Sequence, residues 1–175
     1  MFPVVSVAGA AHLRVRRKYE SAMPSLEDVY QKFGFASEAA QLLETELGTM
    51  LFVSGAIKQN VLEKQDPEVA AELYNSINRK TLGQLLKGVK NTDMSVDHLE
   101  ELLSKALKER NRLAHSFYRQ HNFRRNSEEG RQVMLDDLEK IHEVLLEAYK
   151  AVMLLSGVDL GKVSISNLPT RHVPI

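Results

Sequence analysis

The segment Glu109-Arg110-Asn111-Arg112-Leu113-Ala114-His115 sets an arginine and a histidine with four residues between them, inside a stretch of helical periodicity. An arginine offers a fixed charge for a phosphate, and a histidine can move protons near neutral pH. Together they could cleave RNA, which carries its own nucleophile. An enzyme then has only to deprotonate the ribose hydroxyl, protonate the leaving oxygen and hold the anionic transition state. Spacing alone says little: eleven arginines and six histidines in 175 residues produce such a pair by accident about 0.4 times. On a helix, Asn111 and His115 stack on one face, whereas Arg110 points about 140° away from His115. Either the long Arg110 side chain reaches around, or a second copy brings its own pair to a shared groove. The plainer alternative is that Arg110 meets a carboxylate in an ion pair and His115 is simply satisfied.

The surroundings are basic. From Lys105 to Arg125 seven cationic side chains face Glu109 alone, a local charge of +6 within a chain whose 23 basic and 23 acidic residues balance. Tyr118-Arg119-Gln120-His121-Asn122-Phe123-Arg124-Arg125 follows the motif directly. It is either a solvated loop or a surface on which Arg112, Arg119, Arg124 and Arg125 hold phosphates while Tyr118 or Phe123 stacks an unpaired base. His12, His98, His121, His142 and His172 have no partners nearby in sequence and are read as surface or packing residues.

The elements that must position these residues are helical, because Leu, Ala, Glu and Lys dominate and glycine is sparse. A short helix follows Pro24-Ser25 to Phe33-Gly34, and Ser37 caps a second carrying Leu43, Leu47, Met50 and Ile57. Asp66-Pro67 starts a third through Ile77, and Thr81 to Leu86 forms a short piece weakened by Gly83 and Gly88. Ser95 opens a fourth helix through Phe117, with Arg110 on its apolar stripe. Gln120 to Asn126 is a polar connection, and a fifth helix runs from Ser127 to Ser156-Gly157. Residues 1–24 form an N-terminal arm with a basic run at Arg14 to Lys18, residues 25–156 the helical domain, and residues 157–175 an extended C-terminal tail. Cysteine is absent, which removes disulfides and thiolate sites and fits a cytoplasmic setting. The N-terminal charges follow the apolar stretch, opposite to a secretion signal, and no window reaches a bilayer span. No metal-ligand grouping or phosphate-cradling glycine loop is present, so neither metal nor cofactor is expected.

Arg110-Asn111-x-x-x-His115 near a helix end, followed by a long helix antiparallel to it, resembles the HEPN superfamily of small helical domains and its Arg-x4-6-His signature. Thr81-Leu82-Gly83-Gln84-Leu85 and the segment from Glu44 to Phe52 are similar as well, so the likeness spans Phe35 to Leu155. The resemblance implies an all-α bundle with two long antiparallel helices, acting as a homodimer with a composite groove. It implies a metal-independent endoribonuclease, a toxin paired with an antitoxin or a phage-defence component. His115 would be general base or acid, Arg110 would stabilise charge on phosphorus, and Asn111 would orient or bind. A tyrosine two residues after the histidine, which one branch modifies by nucleotidylation, is replaced here by Phe117, so that control is not expected. The competing class is a non-catalytic helical dimer that binds nucleic acid or a partner protein.

Overall fold

A computed structural model describes residues 23–92 and 97–162. The arm up to residue 22 with its basic run and His12, the Ser95 cap, and His172 with the tail beyond residue 162 lie outside these. The chain is all-α, with no strand among the described residues. The first helix, α1, is continuous from Leu26 to Lys58, where the sequence suggested two pieces. Ser25 and Asp28 form its capping box, and Ser37 does not cap a second start: its hydroxyl donates back to the Phe33 carbonyl at 2.8 Å. A serine hydroxyl satisfied in this way leaves the helix intact, and the open space around Gly34 costs only propensity.

After a single turn, α2 (Val61–Lys64), comes α3 (Pro67–Asn78), which begins as expected, the Asp66 carboxylate accepting from the Glu68 and Val69 amides. Helix α4 (Leu82–Lys90) forms despite its glycines. A Cβ on Gly88 would meet Leu51 Cδ1 at 2.9 Å, so this glycine lets α4 lie close on α1. A 3-10 turn at Asp97–Leu99 leads into α5 (Glu100–His115), then α6 (Phe117–His121), a second 3-10 turn (Asn122–Asn126) and α7 (Glu128–Leu155). The connection expected to be a polar loop is therefore helical. Helix α7 starts and stops where Ser127 and Gly157 predict: Ser127 Oγ accepts from the Gly130 amide and Gly157 has φ +83°.

The frame consists of the two longest helices, which lie side by side and point the same way. Pro24 meets Arg131, Lys32 meets Glu139, and Glu46 meets Ser156. Small residues on the shared face, Ala36, Ala39, Ala40 and Ala148, are buried and allow close approach. Helix α5 runs opposite to α1, setting Arg110 against Glu44 and Phe117 against Phe33. One apolar cluster joins Leu43, Leu47, Leu85, Leu103, Leu113, Phe117, Leu138, Ile141 and Leu145, so the motif helix is seated in the core by its inner stripe.

Gly130 sits under the second 3-10 turn, where a Cβ would lie 2.1 Å from the Arg124 carbonyl oxygen. Backbone, not a flexible side chain, blocks that space. Gly130→Ala is expected to lower the unfolding free energy by about 2–3 kcal/mol, measured by urea titration, while Gly34→Ala, with open space around it, should be neutral or stabilising.

Candidate nucleic-acid interface

Helix α5 ends at His115 because Ser116 leaves helical geometry (φ −133°, ψ −16°), and α6 restarts at once. Phe117 anchors the corner: it is buried, 5.7 Å from Phe33 and 4.4 Å from the His121 ring. The basic segment after the motif is thus folded back against the body. Asn122, at φ 22° and ψ −96°, makes the turn into the 3-10 segment.

The outward face of α5 presents Ser104, Lys108, Asn111 and His115, all exposed. Arg110 lies at the edge of that face and is paired inside its own chain. Its Nε donates to Glu44 Oε1 at 2.6 Å, and Nη1 stands 3.4 Å from Asn111 Oδ1. Both side chains are about a quarter exposed (23% and 26%), so solvent screens part of the attraction. The ion pair is the plainer of the two sequence expectations. Nothing in one chain turns Arg110 and His115 to a common point.

Arg112 faces the other side of α5 and is fully engaged. Its Nη1 and Nη2 donate to the two oxygens of Asp137 at 2.6 and 2.9 Å, and Nε donates to Glu109 at 2.7 Å. The Asp137 hydrogen bonds hold the Arg112 guanidinium more firmly charged than usual. Burial pushes the Asp137 carboxyl up, but the Arg112 and His121 hydrogen bonds and charges outweigh it and hold the carboxyl below its ordinary value. His121 is 4% exposed, with Nε2 2.7 Å from Asp137 Oδ2 and Nδ1 3.1 Å from Arg124 Nη1. An arginine only donates, so Nδ1 accepts and Nε2 carries the proton given to Asp137. His121 is therefore not an isolated surface or packing residue. Arg112, placed with the phosphate-holding residues from sequence, has its donors directed at two carboxylates.

Arg119, Arg124 and Arg125 remain exposed, and none lies in a salt bridge among the described residues. Arg119 Nη2 donates to Ser116 Oγ at 3.2 Å and Arg125 Nη2 to the Tyr30 hydroxyl at 3.2 Å. Tyr118 is 40% exposed with its ring 5.2 Å from Phe33, and Phe123 is 77% exposed. Burial, then Tyr30, raises the Tyr118 hydroxyl. Sequence reasoning missed Glu44 and Asp137. Each stands beside the buried stripe of its helix, next to Leu43 and Leu138, and a carboxylate there signals a cation partner on a neighbouring helix. No protein-family model, curated protein or solved structure matches the chain.

Because the Asp137 carboxyl is held low in the folded chain, its contribution is present above the ordinary carboxylate range and disappears as pH falls through the folded value. Asp137→Asn should cost about 2–3 kcal/mol at pH 7, and the gap to the native chain should be smaller at pH 3, where the loss has begun. Urea unfolding at both pH values measures it.

Proposed function

We propose that the protein is a metal-independent endoribonuclease with a HEPN-like bundle, working as a homodimer through the outward face of α5. The observation that carries this reading is the uncovered Asn111–His115 face, followed along the chain by Arg119, Arg124 and Arg125, which have no carboxylate partner among the described residues. Two copies facing each other there would bring Arg110 of one and His115 of the other to one groove, which a single helix cannot do. His115 would take the ribose 2'-hydroxyl proton. The 2'-oxygen then bonds to phosphorus, the bond from phosphorus to the 5'-oxygen breaks, and that oxygen leaves with a proton taken from solvent. The products are a cyclic phosphate and a 5'-hydroxyl end.

Glu44 holds the Nε edge of Arg110, which would aim its terminal nitrogens at an incoming anion, with Asn111 beside them. Arg119, Arg124 and Arg125 would hold phosphates, and Tyr118 or Phe123 would stack a base. Arg112 would act through the wall it builds with Asp137. No step in this scheme needs a metal or cofactor. Such an activity suits a toxin held silent by an antitoxin protein, or a phage-defence component, in the cytoplasm. A second reading, a non-catalytic dimer binding nucleic acid or protein, draws on the Arg110–Glu44 pair, which satisfies the arginine without any ligand.

His115→Ala is expected to lower single-turnover RNA cleavage by about 10²–10⁴-fold with fold and dimer intact. Arg110→Ala should do similar damage, and cleavage should persist in excess chelator. Native-like rates in His115→Ala would remove the site; a native protein that leaves varied single strands uncut favours the binding module. Alanine at Arg119, Arg124 and Arg125 together should weaken RNA binding and flatten its salt dependence, by about one unit of log–log slope for each phosphate no longer neutralised.

A further inference from the structure

Below the corner where α5 gives way to α6, a cleft of about 420 Å³ opens between that corner and α7, with Arg112, His121, Arg124, Asp136, Asp137 and Lys140 in its walls. The volume falls in the range of roughly 300–1,000 Å³ typical of small-ligand sites. Its charges are not equivalent. Asp137 is closed by the Arg112 fork and by His121. Arg124, by contrast, touches an imidazole that accepts its hydrogen bond, and Lys140 is exposed without an ion pair among the described residues. Two cationic heads therefore face the cleft, opposed by Asp136, whose contact is the Gln132 amide at 2.8 Å.

The groups behind them, buried His121 with half-buried Arg112 and Asp137, form a relay. Arg112 fixes Asp137, Asp137 fixes the tautomer and orientation of His121, and the His121 Nδ1 lone pair holds the Arg124 head at the cleft wall. Replacing such a chain by apolar side chains would cost a helical core little. What the relay accomplishes is to take the freedom out of an exposed arginine before any ligand arrives, which is what a binding site gains from preorganisation.

We propose that this cleft is a phosphate-binding site for a nucleotide, in which Arg124 and Lys140 take the anion and the Arg112–Asp137–His121 relay holds Arg124 ready. A phosphate of a free mononucleotide and one along an RNA strand both offer anionic oxygens to these cations, the monoester carrying about one charge more at neutral pH. Asp136 at the rim opposes both and sets the affinity below what the two cations alone would give.

Calorimetry at one fixed low salt concentration tests this with inorganic phosphate, adenosine 5'-monophosphate and a short 2'-O-methyl RNA that cannot be cut through its 2'-oxygen. Arg124→Ala and Lys140→Ala should each weaken binding by about tenfold. Asp136→Asn, a surface change that leaves the core alone, should tighten it by about threefold. His121→Phe, with circular dichroism confirming the fold, should weaken it without removing a cation. The same dependence with the mononucleotide identifies a free-nucleotide site, and dependence with the RNA strand alone identifies a backbone subsite. Affinities for all three probes that ignore Arg124→Ala and Lys140→Ala, or an Asp136→Asn variant that binds no tighter, overturn the proposal. None of these probes is cleaved, so the result is independent of whether His115 cuts RNA.

Discussion

Arg112 cannot discharge itself, and its place on α5, between buried Leu113 and the α7 wall, obliges the protein to answer it with negative charge. Asp137 does so with both oxygens, and much of the corner follows. A carboxylate so placed still has lone pairs to satisfy, and His121 takes one of them. An imidazole held by one nitrogen then offers the other to Arg124. The end of α5, the short α6 and the 3-10 turn are thereby tied to the middle of α7 by hydrogen bonds rather than by grease. No buried side-chain nitrogen or oxygen lacks a partner among the described residues, as such a network requires.

Arginines two positions apart on α5 have opposite fates. Arg110 turns toward α1 and meets Glu44; Arg112 turns toward α7 and meets Asp137. Between these two clamped faces the helix leaves Asn111, Ala114 and His115 exposed. The motif residues thus divide into those that fasten the helix and those left available for a second molecule. Arg110 sits on the boundary, since its pair with Glu44 uses one edge of a guanidinium that has five donors.

The helical class, the Asp66-Pro67 start, the Ser127 cap and the Gly157 stop were legible because each rests on local chemistry that neighbours in space do not override. Continuity through Gly34 and Ser37 was not, because a serine reads as a cap until packing against α7 decides otherwise. The helix break after His115 and the turn at Asn122 were hidden for the same reason: the buried Phe117 pulls the chain inward there. The candidate residues could be named from spacing and charge, but their partners lie 25 and 66 positions away in sequence. Pairings at such distances become visible only once the helices are laid against each other.

The parallel alignment of α1 and α7 has an electrical consequence. Each helix carries a dipole with its positive end at the N-terminus, and both N-termini lie at the corner where Arg125 reaches Tyr30 and Arg131 reaches Pro24. Helix α5 points the other way and cancels one of the two only in part, being 16 residues long against 33 and 28. The cationic stretch from Lys105 to Arg125 ends at that same pole. Glu27, Asp28, Glu128 and Glu129 stand in the two first turns at that pole, so the field an approaching anion meets there is the difference between two helix dipoles with their neighbouring arginines and those four carboxylates.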